Sequence, residues 1–288
     1  MTDREPPVVG SLPWLLDLER IDRDLFRGPS PEYTGRSNLF GGQVAAQALR
    51  AAALTVEAPH LPHSFHLYFM RAGQIGRPVV LYVNRIRDGR SFTTRNVVAQ
   101  QDGEAILTMS ASFHKAEGGE LDVQLPAASV PPPEAIPTRE PSRVPFGHAP
   151  FETAPIEERS GPGPEGRLRR WVRSLDVLPD DPVVHACALA YMSDMATGSP
   201  PVLAARRRFE DFMMTSLDHA LHFHRTVRAD RWLLVDFESV SVGRGRGMTR
   251  GTIHAQDGTL GATVQQELLL RELAPGRPSR QPASHDLL

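Results

Sequence analysis

Cysteine and lysine are almost missing from this chain of 288 residues. Cys187 is the single cysteine, which excludes an internal disulfide framework and a zinc cluster with several cysteine ligands. A chain of this kind suits a reducing compartment, so we expect a cytoplasmic location. Lys115 is the single lysine. Schiff-base chemistry therefore has one candidate, which lies in a polar stretch and is discounted.

Long apolar runs and an excess of charge of one sign are also missing. No run of about 18 apolar residues is present, and residues 1–10 lack an apolar signal core, so we expect neither a membrane span nor a secretion signal. The net charge of -2 gives no general attraction to nucleic acid or to anionic membranes. A hydrophobic fraction of 40% and a length suited to two domains predict an ordinary soluble globular protein.

Motifs of several common enzyme classes are absent. The chain has no Gly-x-Ser-x-Gly elbow, no Walker loop and no Gly-x-Gly-x-x-Gly segment between a strand and a helix. Residues 243–247 alternate glycine and arginine, but a strand is predicted to follow them. We interpret this segment as a turn, and contact of its arginines with a phosphate is the alternative.

The first half of the chain predicts a short strand, one buried helix and then four longer strands. After Phe40-Gly41-Gly42-Gln43, the alanine-rich run 44–54 has no glycine or proline and is mostly apolar around its circumference, which predicts a buried helix. Asp88-Gly89 and Asp102-Gly103 are typical of hairpin turns. The strands predicted in this half are 21–26, 63–71, 79–87, 92–100 and 105–113. A buried helix wrapped by an antiparallel sheet is the layout called a hotdog.

The second half repeats this order. Strands are predicted at 151–158, 168–175, 216–225, 232–242, 248–255 and 261–270, with a helix that starts after Asp180-Asp181-Pro182 and ends near Asp194. Thr94-Arg95 recurs 155 positions later as Thr249-Arg250, and Phe69-Met70-Arg71 resembles Phe223-His224-Arg225 at an offset of 154. We therefore predict an α+β double hotdog with an N-terminal hotdog domain (1–118), a Pro-rich linker (119–149), a C-terminal hotdog domain (150–275) and a flexible tail (276–288).

Histidines are concentrated between Asp218 and His224. His222 and His224 share one face of a strand, so a metal site is conceivable, but no carboxylate or cysteine partner has a clear ligand spacing. A local Ser216/Asp218/His219 triad is also disfavoured, because neighbours on a strand point to opposite faces. We predict no metal and no cofactor.

Six short motifs occur in an order that resembles one known family. They are Phe40-Gly41-Gly42-Gln43, His63-Ser64-Phe65-His66-Leu67-Tyr68-Phe69, Asp88-Gly89-Arg90-Ser91-Phe92, Tyr191-Met192-Ser193-Asp194, Leu217-Asp218-His219 and Val264-Gln265-Gln266-Glu267. Together they resemble the TesB-type (type II) acyl-CoA thioesterases, from about residue 18 to residue 271. The resemblance implies a double hotdog that hydrolyses fatty acyl-CoA to free fatty acid and CoA, and a homo-oligomer (dimer or tetramer).

The resemblance also implies which residues hold the attacking water. The family's Asp, Thr and Gln fall on Asp194, Ser216 and Gln266, so a serine replaces the threonine. The hydroxyl is kept, but the restricted χ1 of a β-branched residue is lost. Thr215 would point to the other face, so an error of one residue in register would change the assignment. The structural alternatives are that Asp194 only caps its helix and that Gln266 is an ordinary strand residue.

The substrate-binding candidates are Gly41, Gly42 and His63. Two glycines at a helix start allow close approach to backbone donors, which can stabilise an oxyanion; a tight helix entry is the alternative. The resemblance suggests His63 as a secondary candidate, with a histidine in the strand core as the other interpretation. Residues 206–208, three arginines, are candidates for the CoA phosphates, or a solvated loop.

The two halves differ at the proposed site. At the 155-residue offset Gln266 corresponds to Ala111, so we expect one composite site per chain, at the interface of the halves. Two other functions stay open. A hotdog enoyl-CoA hydratase is disfavoured, because no Asp-x-Asn-Pro-x-His-like stretch is present. A non-catalytic acyl-CoA-binding protein is disfavoured by the complete Asp/Ser/Gln set.

Overall fold

A computed structural model describes residues 7–31, 38–136, 150–156 and 166–273. The α-helices are α1 (Leu12–Leu16), α2 (Gly41–Ala53), α3 (Pro182–Ser193) and α4 (Ser199–Ala204), and short 3₁₀ turns lie at Pro133–Ala135 and Phe209–Asp211. The strands of the first half are β1 (Glu19–Asp22), β2 (Leu25–Gly28), β3 (His60–Phe69), β4 (Val79–Asp88), β5 (Phe92–Gln101) and β6 (Glu104–Lys115). Those of the second half are β7 (Phe151–Pro155), β8 (Arg167–Ser174), β9 (Phe212–Ser216), β10 (Asp218–Phe223), β11 (Leu233–Gly243), β12 (Arg246–Ala255) and β13 (Leu260–Glu272).

All of these strands belong to one antiparallel sheet in which the two halves mirror each other. Its order is β1-β2-β4-β5-β6-β3-β10-β13-β12-β11-β8-β7, and β9 pairs with β13 as a branch. The halves join where β3 lies antiparallel to β10, in register from Ser64 opposite His222 to Tyr68 opposite Asp218. The join gives each half a paired inner edge in place of an exposed strand.

The two long helices pack against the sheet and against each other. Nearly every residue of α2 and α3 is buried, in one core that includes side chains of both halves. Full burial of a single side chain such as Leu49 contributes about 1.5–3 kcal/mol. Asp181 caps α3, accepting a hydrogen bond from the Val183 amide at 2.9 Å. The Asp181 cap fixes the start of α3. The buried side chains of its last turn hold its end, where Asp194 lies.

The Asp88-Gly89 turn is tied to α2 by a buried arginine. Arg95, 1% exposed, donates to the carbonyl and hydroxyl oxygens of Thr55, just beyond the helix, at 3.0 and 2.8 Å. It also forms an ion pair with Asp88. The β4–β5 hairpin and the C-terminal end of α2 are thus held together, which gives the Asp88 motif a structural role.

The described part of the linker, residues 119–136, runs across the outer surface of the second half. Trp171 donates from Nε1 to the Pro131 carbonyl at 2.9 Å, and Val130 and Ile136 pack beside Trp171 and Leu234. Residues 137–149 and the predicted tail lie outside the described residues. The division into four segments given above stays a prediction.

The structure confirms the α+β double hotdog and corrects two strands. The predicted strand 21–26 is a hairpin of β1 and β2 with a turn between Asp22 and Leu25. The predicted strand 216–225 is wrong as a single element, because the chain breaks at Leu217 into β9 and β10. The segment 243–247 is a tight turn, with Arg244 and Gly245 at positive φ. None of the helices in the described ranges is both long and apolar enough to cross a bilayer.

Candidate active site

Three polar side chains from separate elements meet at the C-terminal end of α3. Asp194 is the C-cap of that helix and is 7% exposed. Gln266 lies in the middle of β13 and is fully buried, and Ser216 is the last residue of β9. Burial of a carboxylate and an amide is costly unless both are hydrogen-bonded, so their partners are informative.

Gln266 joins the other two directly. Its Nε2 donates to Oδ1 of Asp194 at 3.0 Å and to Oγ of Ser216 at 2.8 Å. One amide group therefore uses both of its hydrogens to hold a carboxylate and a hydroxyl side by side. The structure brings together the three residues to which the family resemblance assigns the water.

The register at Ser216 follows from the break in the chain after it. Ser216 pairs with Leu268 of β13, and the Leu217 amide donates to the Glu267 carbonyl at 2.9 Å. This pairing directs the Ser216 side chain toward Gln266, while Thr215 is exposed. The hydroxyl of the site is that of Ser216.

The first half of the chain contributes the start of α2. A Cβ added to Gly41 would lie 2.8 Å from Oδ2 of Asp194 and 2.8 Å from a ring carbon of Phe69. A Cβ added to Gly42 would overlap the Tyr191 carbonyl oxygen of α3. Both glycines are thus required by close approach, and the site is composite. The first N–H groups of a helix lack partners within it and carry partial positive charge, so this end of α2 suits an anion.

His63 lies elsewhere. Its Nε2 is 2.8 Å from Oγ of Ser112, and its ring contacts Phe92 and His114 edge to face. Ser112 alternates with buried neighbours on β6, so this cluster is on the outer face of the sheet. Burial, followed by the nearby His114 and His222, lowers the pKa of His63. The geometry does not unite His63 with the residues around Gln266.

A histidine that the sequence analysis set aside belongs to the buried site. His219 of β10 is fully buried, and its Nδ1 is hydrogen-bonded to Oε1 of Gln266. Its Nε2 lies 2.8 Å from Oγ of Ser193. Burial lowers the pKa of His219 to about 4, so the ring is neutral at physiological pH.

Ser216 and His219 converge because they lie on different strands, β9 and β10. The objection that strand neighbours face apart holds within one strand only. Asp218 does not join them: its Oδ1 accepts from the Glu267 amide at 2.7 Å and its Oδ2 is 3.1 Å from Nε2 of His66. The sequence contained a signal for His219. The offset of 154 that relates the two halves aligns it with Phe65, so the second half has a polar residue where the first half has an apolar one.

Other candidates are separate from the site. Residues 206–208, the three arginines, lie on the surface between α4 and β9. A groove of about 660 Å³ lies on the outer face of the sheet, with Gln265, His222 and Arg250 in its wall. Gln265 and Gln266 point to opposite faces, so the sheet separates this groove from Asp194. Within the described ranges, no three His, Cys, Asp or Glu side chains are grouped as a metal site would need.

Comparisons with known proteins agree with this architecture. Residues 29–114 match the family model of the acyl-CoA thioesterase N-terminal domain, and residues 126–270 match that of the C-terminal domain. Human acyl-coenzyme A thioesterase 8 is 36% identical over 89% of this chain and 88% of its own length. The crystal structure of acyl-CoA thioesterase II TesB2 from Mycobacterium marinum is 40% identical, with a TM-score of 0.79 over 92% of this chain and 99% of that one.

A third comparison concerns the fold alone. A protein of unknown function with a hot dog fold from Alicyclobacillus acidocaldarius is 21% identical, with a TM-score of 0.77 over 91% of this chain and 98% of its own. The two domain models together span most of the chain, and the human relative is matched along nearly its whole length. The chain therefore belongs to the TesB-type acyl-CoA thioesterase family.

Proposed function

We propose that this protein hydrolyses fatty acyl-CoA to free fatty acid and CoA, using a water activated by Asp194 and oriented by Ser216 and Gln266. The observation that carries the proposal is the buried Gln266 amide, which holds the Asp194 carboxylate and the Ser216 hydroxyl next to each other. A proton acceptor and a hydroxyl at a fixed separation can bind one water and direct its lone pair. Membership of the family agrees with this chemistry.

In the first step the water attacks the thioester carbonyl carbon. Asp194 accepts one proton from the water as the new C–O bond forms, and the carbonyl oxygen becomes an oxyanion. The first-turn amides of α2, beside Gly41, provide the positive end of a helix next to Asp194. Ser216 accepts from Gln266 and keeps its own hydroxyl hydrogen, which it can donate to the water.

In the second step the tetrahedral intermediate collapses. The C–S bond breaks, its electrons stay on the CoA sulfur, and the carboxylic acid is released. The proton that Asp194 took from the water passes to the thiolate or to solvent, which returns the carboxylate to its starting state. Each turnover consumes one water and one thioester and needs no cofactor.

The test measures CoA thiol release from acyl-CoAs of short, medium and long chain, with wild type and Asp194→Asn side by side. The amide of Asn cannot accept the proton, so we expect kcat to fall by at least about 100-fold, the usual contribution of a general base. Binding of a non-hydrolysable thioether analogue should persist. Asp218→Asn is the matched control, because the Asp218 carboxylate is hydrogen-bonded to the Glu267 amide and to His66 and not to Gln266.

Each of the alternatives gives a different result. Tight binding of the thioether analogue with no thiol release at any chain length would indicate an acyl-CoA-binding protein. Water addition to an enoyl-CoA without thiol release would indicate a hydratase. Full hydrolysis by Asp194→Asn would show that the base lies elsewhere.

Two further proposals do not depend on this site. We expect a homo-oligomer, dimer or tetramer, which sedimentation of the purified chain would test, and a cytoplasmic location, which fractionation would test. A monomer at micromolar concentration would contradict the first.

A further inference from the structure

The buried polar network at the site extends beyond the three residues that hold the water. Hydrogen bonds link Ser193 to His219, His219 to Gln266, and Gln266 to both Asp194 and Ser216. His219 and Gln266 are fully buried. In such a network each hydrogen has a definite place, because a donor must face an acceptor at every step.

The carboxylate sets the direction of the network. Asp194 as a carboxylate can only accept, so the Gln266 amide must turn its NH₂ group toward it. The carbonyl oxygen of Gln266 then faces Nδ1 of His219, which must carry the hydrogen. A neutral histidine has one N–H, so Nε2 is left as an acceptor.

Ser193 completes the assignment. Its Oγ lies 2.8 Å from Nε2 of His219 and 3.0 Å from the Ala190 carbonyl. The hydroxyl has a single hydrogen, for which the Ala190 carbonyl and Nε2 of His219 compete. Because Nδ1 carries the hydrogen of the neutral ring, Nε2 is an acceptor, and the hydroxyl hydrogen is directed to it. The other tautomer would place Nδ1 without a hydrogen against the Gln266 oxygen, leaving two buried acceptors facing each other, an arrangement that would weaken the network.

We propose that His219 is a positioning residue for hydrolysis: its Nδ1–H fixes the Gln266 amide in the one orientation that presents NH₂ to both Asp194 and Ser216. Without this donor the amide keeps only the restraint from Asp194 and Ser216, and it is free to tilt or rotate away from the geometry that holds both of them. The pair that holds the water would then separate. His219 is fully buried and would act through Gln266, and the inference rests on the proposed function of Asp194 and Gln266.

The first half of the chain gives independent support. The offsets that relate the halves place Phe65 at the position of His219 and Ala111 at that of Gln266. Phe65 and Ala111 are opposite each other in the β3–β6 ladder, and both are buried. The half that has no glutamine thus has no histidine. The two polar residues occur together, as expected if one exists to orient the other.

The test compares His219→Phe with His219→Asn. Phenylalanine has the shape that the first half accepts at this position but has no donor. The Asn side-chain NH₂ branches from the same atom as Nδ1 and can donate to Gln266. We expect His219→Phe to lower kcat about 10- to 100-fold with KM within about threefold of wild type, as for a small misplacement of a catalytic group, and His219→Asn to recover most of the loss.

A double-mutant cycle separates orientation from general damage. In a Gln266→Ala background the amide is gone, so His219→Phe should lower kcat no further. Gln265→Ala, on the opposite face, is the control and should keep wild-type kcat. Thermal unfolding and thioether binding establish that each variant is folded. If His219→Phe does not fold, the test compares His219→Asn with His219→Gln. The Gln side chain places its NH₂ donor one atom further out than Asn does, so we expect His219→Gln to have the lower kcat.

The outcomes are distinguishable from failure of the proposed function. Loss of activity in Asp194→Asn with full kcat in folded His219→Phe would overturn this inference alone. Equal kcat for His219→Asn and His219→Phe would also overturn it, and so would equal kcat for His219→Asn and His219→Gln where that pair is used. In the double-mutant cycle, a further loss of kcat when His219→Phe is added to Gln266→Ala would overturn it as well. Full activity in Asp194→Asn would overturn the proposed function first.

Discussion

Oδ2 of Asp194, at the end of the second-half helix, lies against Gly41, at the start of the first-half helix, so closely that a Cβ on the glycine would be 2.8 Å from it. The contact joins the proposed base to the positive end of α2. Because the two residues come from different halves, neither half alone contains the complete site. The fusion of two hotdog units in one chain fixes this contact.

Replacing Gly41 by Ala should reduce activity more than stability. The added methyl must displace either the Asp194 carboxylate, which is held by Gln266, or the Phe69 ring, which packs against the core. We expect kcat to fall about 10- to 100-fold, as a displacement of about 1 Å would produce, while the helix gains a better helix former. Thiol release measures the effect. Gly243→Ala is the control, since nothing lies within 4 Å of a Cβ there; equal rates for both variants would contradict the contact.

Two substitutions of equal shape test the hydroxyl of Ser216. Thr keeps the oxygen that accepts from Gln266 and restricts χ1, whereas Val has the same outline without the oxygen. We expect Ser216→Thr to stay within about threefold of wild-type kcat and Ser216→Val to lose about 10- to 100-fold, the range expected when one orienting group is removed. Similar rates for Thr and Val would show that the hydroxyl has no part in holding the water.

The burial of His219 should make the protein less stable in mild acid. The folded-state pKa is about 4, lowered by burial, so between the ordinary pKa of 6.5 and pH 4 the unfolded chain binds more protons than the folded one. Stability is therefore present above the unfolded pKa and falls as the pH drops through this window, by about 3 kcal/mol at pH 4. The Gln266 hydrogen bond and Asp218 raise the pKa, and His66 on β3 lowers it, each less than burial does.

Denaturant unfolding of wild type and His219→Phe at about pH 7, 5 and 4 measures this contribution across the window. The pKa of His63, of His185 and of His224 is also lowered by burial, so the fall in wild type has several sources. The difference in unfolding free energy between the two proteins isolates the contribution of His219. As the pH drops, wild type should lose more stability than His219→Phe. A difference that is the same at all of these pH values would contradict a neutral, buried ring.

The fold was predictable because each half repeats one pattern. An alanine-rich helix followed by apolar runs with Asp-Gly turns indicates a hotdog, and the offsets of 154 and 155 show that it occurs twice. The short hairpin of β1 and β2 was missed, because its turn has no glycine or proline: the residues between the strands are Arg23 and Asp24. The break at Leu217 was missed because no glycine or proline marks it.

The site was predictable in part. Asp194, Ser216 and Gln266 were implied by the family resemblance, and their meeting depends on pairings of β9 and β13 that no local pattern reveals. His219 was set aside because the strand containing it was extended through Leu217, which placed Ser216 and His219 on one element. His63 belongs to a recognisable motif, yet its direction depends on a bulge in β3 between Pro62 and Ser64. Burial and direction, not residue type, separate the two histidines.

The most direct measurement of the central claim is a single turnover of acyl-CoA by excess enzyme in H₂¹⁸O. If a water held by Asp194, Ser216 and Gln266 attacks the thioester, the fatty acid of the first turnover carries one ¹⁸O and the peptide containing Asp194 carries none. An unlabelled acid from that turnover, with ¹⁸O in the Asp194 carboxyl group, would show that the carboxylate itself attacks and would contradict the account.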